Sequence, residues 1–122
     1  MKKEITTSAP KLGPYSLAIE TGNTLYMSGQ LGLKAEGEFA GPDAAAQAKQ
    51  VMENAKEILA SCGYTFDNVV KCLIFLTDLG DFAAVNEVYK SYFTEPYPAR
   101  STVQVAALPK GGKVEVEMIA AK

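Results

Sequence analysis

Apolar positions recur along this chain with two periods, and the changes of period mark its elements. Residues 4–7 (Glu-Ile-Thr-Thr) have β character, and Pro10, Gly13 and Pro14 turn the chain into a loop. Segments 17–21 (Leu-Ala-Ile-Glu-Thr) and 24–28 (Thr-Leu-Tyr-Met-Ser) read as a hairpin, because Gly22-Asn23 between them tolerates positive φ. The second strand runs into Ser28-Gly29-Gln30, where a glycine marks either a bulge or a close approach of the backbone. Residues 32–43 are polar and glycine-rich, a surface loop; no Gly-Lys-Ser/Thr closes it as a phosphate loop.

A helical period follows. Asp43 is the N-cap; Ala44, Ala48, Val51, Met52, Ala55, Ile58 and Leu59 form one apolar stripe, and Gly63 ends the helix. Gln47, Lys49, Gln50, Glu53, Asn54, Lys56 and Glu57 fall on the opposite face, so the helix reads as a packing element. A second helix starts at Asp81 as its cap and buries Phe82, Val85, Tyr89, Tyr92 and Phe93. Asn86 lies on that stripe, one turn from Phe82, and needs partners: its side chain either bonds nearby backbone or is an amide lining a pocket.

Between the helices, residues 68–77 are apolar on both parities. Val70, Cys72, Ile74 and Leu76 share one face; Val69, Leu73 and Phe75 share the other. Such a strand is covered on both sides. The helices supply one cover, and so short a chain leaves a second copy to supply the other.

The C-terminal part reads as a second hairpin, strands 100–108 and 113–120 joined by Pro109-Lys110-Gly111-Gly112. Val103, Val105 and Ala107 share a face, as do Val114, Val116, Met118 and Ala120. A one-residue slip would put glutamates among valines, so hydrophobicity limits the register. Arg100, Thr102, Gln104, Glu115 and Glu117 then share one polar side. Arg100 is either a solvated charge at a strand mouth or a guanidinium fork aimed at a carboxylate or phosphate. The two-sided strand next to it argues against a fully solvated face and puts a covered pocket on an equal footing.

Composition narrows the chemistry. At 122 residues and 48% hydrophobic the chain fits one domain, residues 1–122, in which oligomerisation would supplement a small core. A net charge of −2 and a pI near 5.1 disfavour nucleic acid as a partner. No apolar run nears the roughly 18 residues of a membrane span, and no secretory signal core follows Met1, so the expectation is a cytoplasmic protein without a membrane partner. Cys62 and Cys72, ten positions apart without a CxxC, fit free thiols in a reducing compartment. There is no histidine, which removes Ser-His and Cys-His nucleophile pairs and the usual zinc sets. No cofactor and no metal site is expected. Carboxylates, hydroxyls, amides and arginine remain, a set suited to a substrate that is already reactive.

Several tracts, in order, resemble the RidA/YjgF family of reactive-intermediate deaminases: Gly13-Pro14-Tyr15-Ser16, Ser28-Gly29-Gln30-Leu31-Gly32, Asp81-Phe82-Ala83-Ala84-Val85-Asn86-Glu87-Val88-Tyr89, Pro98-Ala99-Arg100-Ser101, Val105-Ala106-Ala107-Leu108-Pro109-Lys110-Gly111 and Val114-Glu115-Val116-Glu117. The resemblance covers essentially the whole chain. It implies an α+β, chorismate-mutase-like fold, a mixed sheet with two helices packed on one face. It implies a barrel-like homotrimer with sites between subunits. The implied activity is hydrolysis of 2-imino and 2-amino-enoic acids, such as 2-iminobutanoate and 2-iminopropanoate, to 2-keto acids and ammonia. Arg100 would clamp the substrate carboxylate and Glu117 would position water, with Tyr15, Ser28, Gly29, Asn86 and Thr102 lining the pocket. Thr102 stands where many bacterial members carry cysteine. The competing reading is a non-catalytic trimer that binds small keto acids. RNA cleavage, also associated with such proteins, fits poorly with the acidic pI and the missing histidine.

Overall fold

Residues 1–122 are all described by a computed structural model. The chain forms β1 (Lys3–Ile5), β2 (Ala18–Thr21), β3 (Thr24–Leu31), α1 (Ala44–Ser61), β4 (Val69–Leu76), α2 (Phe82–Lys90), β5 (Ala99–Gln104) and β6 (Val114–Ala121). One sheet holds all six strands in the order β1-β2-β3-β6-β4-β5, α+β in class. The first strand is shorter and earlier than the 4–7 expected. The Gly22-Asn23 turn is present, with Gly22 at φ 57 and Thr21 opposite Thr24. The strand after it runs on to Leu31 through an irregularity between Met27 and Gln30, so the Ser28-Gly29 glycine marks a bulge.

α1 matches its pattern at both ends. Asp43 accepts a 2.7 Å bond from the Ala46 amide, and Gly63 follows the helix at φ 82. Val51, Ile58 and Leu59 are at most 1% exposed. Burying each contributes roughly 1.5–3 kcal/mol. They join Cys72, Ile74 and Leu76 of β4 and Val114, Val116, Met118 and Ala120 of β6 in one core on the helix-covered face.

Two residues assigned to the polar side of α1 are buried. Asn54 donates to the carbonyls of Leu31 (3.3 Å) and Leu33 (2.9 Å) and accepts from Gln50 (2.9 Å). Gln47 donates to the Gly41 carbonyl (3.0 Å) and accepts from the Lys113 amide (2.9 Å). These amides satisfy backbone groups of the 32–43 loop and its neighbours, which no helix or strand could pair. The second helix also differs at its start. Asp78 caps a 3₁₀ turn over Leu79–Asp81 through the Gly80 amide, and Asp81 makes no side-chain cap. Phe82, expected in the buried stripe, is 39% exposed.

The expected C-terminal hairpin is not formed. β5 pairs in parallel with β4, and β6 pairs antiparallel with β3 and with the other edge of β4. α2 is the crossover that parallel pairing requires. β5 ends at Gln104; residues 105–113, with a 3₁₀ turn at Pro109–Gly111 and Lys110 at φ 58, carry the chain past β4 to β6. A strand apolar on both parities accepts a neighbour on either edge, so the pattern alone could not choose the partners. The parity of β4 also shifts at its start, where a bulge between Val69 and Lys71 buries Val69 and leaves Val70 49% exposed.

On the sheet face away from the helices, Leu73 and Phe75 are half-buried, while Tyr26 is 50% and Val103 43% exposed. No helix is long and apolar enough to cross a membrane. Cys62 and Cys72 are free thiols.

Candidate functional site

Strand register separates the two groups on which the chemistry was expected to rest. Arg100 lies beside Cys72, which lies beside Met118, all in one row on the helix-covered face. The next row, Ser101, Leu73 and Glu117, points to the other face, and so does Glu115 beside Phe75. The single polar side expected for Arg100, Thr102, Gln104, Glu115 and Glu117 is thus divided. Arg100, Thr102 and Gln104 face α2, and the two glutamates face away from it. The cause is the insertion of β4 between β5 and β6: each strand keeps its own alternation, but the shared face came from pairing them directly.

The first half of the site is built on α2 and β5. Arg100 donates to Asn86 Oδ1 at 2.7 Å, and its guanidinium carbon lies 4.9 Å from the Tyr89 ring centroid and 5.6 Å from that of Phe82. The Asn86 amide therefore finds its partner in the arginine rather than in nearby backbone, and it lines the cavity beside that arginine. Gln104 accepts from the Leu79 amide at 2.8 Å and ties the start of α2 to the end of β5. A cavity of about 600 Å³ opens here, lined by Asn86, Tyr89, Lys90, Glu95, Tyr97, Pro98 and Arg100. Thr102 does not line it; its hydroxyl is buried without a hydrogen-bond partner.

The second half is a cleft of about 420 Å³ on β3 and β6, lined by Tyr15, Ser28, Gly29, Gln30, Glu115 and Glu117, with Leu12, Asn54 and Pro109 among its other walls. The bulge at Ser28-Gly29 opens it. A Cβ on Gly29 would stand 2.7 Å from the Glu115 carboxyl carbon and 2.9 Å from Oε1, so the absent side chain is what admits that carboxylate. Burial, and then the charge of Glu117, push the Glu115 pKa above its ordinary value. Ser28 donates its hydroxyl to the Ser16 carbonyl at 2.6 Å, and the Tyr15 hydroxyl accepts from the Leu12 amide at 3.1 Å. Both side chains are thereby held on the N-terminal loop.

Of the expected residues, Tyr15, Ser28, Gly29 and Glu117 meet in one half, Arg100 and Asn86 in the other. Glu115 was missed as a site residue, although the glycine opposite it and its place two before Glu117 were visible. Tyr89 and Phe82 were read as core; their spacing with Asn86 (i, i+4, i+7) was the available signal for a surface that holds Arg100.

Comparison with known proteins adds to this geometry. The family model described as Endoribonuclease L-PSP matches residues 6–122. Protein DfrA of Myxococcus xanthus is 56% identical over 116 residues, spanning 92% of this chain and 88% of that protein. A Capra hircus protein named 2-iminobutanoate/2-iminopropanoate deaminase is 50% identical over 117 residues, 94% of this chain and 85% of its own. The crystal structure of RidA from an Antarctic Psychrobacter superposes with a TM-score of 0.94 at 49% identity, covering 98% of this chain and 99% of that one.

Proposed function

This chain belongs to the RidA/YjgF family, and from that premise we propose that it hydrolyses 2-imino and 2-amino-enoic acids to 2-keto acids and ammonia. 2-Iminobutanoate and 2-iminopropanoate are the substrates we assign, as in the name of the goat relative. The observation that carries the reading is Arg100: a half-buried guanidinium with no carboxylate within ion-pair distance, in a chain whose one ion pair is Lys11–Glu4 at 3.9 Å. A cation held in place by an amide and left without a counter-ion is a site for an anion.

The substrate carboxylate sits on the guanidinium edge that Asn86 leaves free. Water attacks C2 of the protonated imine and gives up a proton. The nitrogen of the resulting carbinolamine takes up a proton, the C–N bond breaks, and ammonia leaves. A protonated imine is electrophilic enough for this without further activation, so the chain's task is to orient substrate and water and to accept the water's proton. Both glutamates line the cleft. We assign the proton to Glu115 ahead of Glu117, because its raised pKa and its contact with Gly29 suit a general base; Glu117 sustains that pKa by its charge.

The two halves lie on opposite faces of one sheet, so the reading requires a second copy to join them. We propose a homotrimer in which one subunit presents Arg100 and Asn86 to the Tyr15, Ser28, Gly29 and Glu115 cleft of the next. The half-covered apolar face at Leu73, Phe75 and Val103 would be buried in the same assembly.

The test couples the protein to a threonine dehydratase and follows iminobutanoate by its trapping as the semicarbazone. Faster loss of the trappable imine is expected. An unchanged rate, with 2-oxobutanoate still raising the melting temperature, would leave a keto-acid-binding module instead.

A further inference from the structure

We infer that Tyr89, assisted by Phe82, is a positioning residue: its ring face holds the Arg100 guanidinium in the plane from which it receives a carboxylate. This rests on the reading of Arg100 as the carboxylate anchor and adds what fixes its orientation. Phe82, Asn86 and Tyr89 share one face of α2, and all three address the same guanidinium. Asn86 takes one N–H at 2.7 Å. That single bond leaves the plane free to rotate about it. The rings remove this freedom, because a guanidinium over a π-face is attracted along the ring normal and packs flat against it.

The two rings are not equivalent. Tyr89 is 5% exposed and its ring centroid is the closer, at 4.9 Å; Phe82 is 39% exposed and stands at 5.6 Å. The attraction is larger where water is excluded, so Tyr89 dominates. Its hydroxyl makes no hydrogen bond to the arginine. That oxygen is buried with no aligned hydrogen-bond partner, beside the Cys72 thiol, on the core side of the ring. The ring, rather than the phenol, performs the positioning.

The test uses the full chain with substitutions Tyr89→Phe, Tyr89→Leu and Phe82→Leu. Two readouts are taken: the dissociation constant for 2-oxobutanoate by calorimetry, and the ring-current shift of the Arg100 guanidinium proton in ¹H–¹⁵N spectra without ligand. Tyr89→Phe is expected to keep both. Tyr89→Leu is expected to weaken binding roughly tenfold and to abolish the upfield shift, and Phe82→Leu to weaken binding roughly threefold. In imine hydrolysis the loss appears in KM before kcat. Phe82→Leu alters an exposed side chain and decides the matter if Tyr89→Leu does not fold. Wild-type binding and an unmoved guanidinium shift in the leucine variants overturn the inference, as does a Tyr89→Phe variant as impaired as Tyr89→Leu. The spectral readout needs no substrate. A protein that lacks imine hydrolysis but keeps the ring-dependent shift therefore refutes the proposed activity alone.

Discussion

Arg100 and Glu117 stand on opposite faces of the same sheet, the arginine in register with Cys72 and the glutamate with its neighbour Leu73. No rotamer change within one chain brings them to one small substrate. If activity needs the arginine and a cleft glutamate together, they come from different copies. Arg100→Ala and Glu115→Gln should each be inactive alone and recover activity when unfolded and refolded together in equal amounts. In randomly assembled trimers of the proposed kind, half of the subunits offering the arginine and half offering the glutamate are intact, so about a quarter of wild-type activity is expected. Mixtures no more active than the separate variants would place the whole site within one chain.

Much of this arrangement could be read before the fold was known, and the failures share a cause. The Gly22-Asn23 turn, the α1 stripe and its Asp43 and Gly63 ends depend on residues within a few positions of each other, and all were legible. Strand partners are not local. The alternation of Arg100 and Thr102 with Val103, and of Val114, Val116 and Met118 with Glu115 and Glu117, was right within each strand, but it could not show that β4 lies between them. Buried amides escaped for a related reason. Asn54 and Gln47 look like solvated helix residues until the loop carbonyls that they satisfy are in place.

The glycines at positions 29 and 32 should respond in opposite ways. A Cβ on Gly29 meets the end of the flexible Glu115 side chain at 2.7 Å, which can swing aside. Gly29→Ala should therefore fold normally and lose activity, because the carboxylate is displaced. A Cβ on Gly32 meets the Gln47 backbone at 2.5–2.6 Å, where nothing can yield without moving α1. Gly32→Ala should be destabilised by about 3 kcal/mol or be insoluble. Denaturant melts and imine-trapping assays on both variants test this, and a stable, active Gly32→Ala would contradict the packing described.

Asn54→Ala removes the donor from two buried carbonyls, Leu31 and Leu33. Leaving such groups unpaired costs about 1–3 kcal/mol. The neighbouring exposed Lys56→Ala should change stability by less than about 0.5 kcal/mol. Urea unfolding of the two variants side by side gives the comparison, and equal midpoints would mean that the Asn54 bonds carry no weight.

Arg100→Lys keeps the charge and removes the fork. A lysine ammonium cannot at once bond Asn86, lie flat on Tyr89 and offer two parallel donors to a carboxylate. Each charge-assisted bond lost corresponds to about 1.5–3 kcal/mol, so kcat/KM should fall at least roughly tenfold. Near-normal turnover would move the carboxylate anchor elsewhere.

The pKa of Glu115 is raised above its ordinary value of 4.5, chiefly by burial and secondly by Glu117. A carboxyl whose pKa is higher folded than unfolded holds its proton more tightly in the native state. Its stabilising effect is complete below the unfolded pKa and is lost as pH rises through the folded value. Glu115→Gln removes that loss. It should therefore melt above the parent at neutral pH, with the gap closing once the solution is acidic enough to protonate the parent. Turnover runs the other way, since in the proposed mechanism the ionised carboxylate accepts the water's proton, and the acid limb of kcat/KM should lie above pH 4.5. Glu117→Gln removes the second cause and should shift that limb to lower pH without abolishing it. An acid limb indifferent to Glu117→Gln, or a Glu115→Gln variant that keeps its turnover, would take the proton away from Glu115.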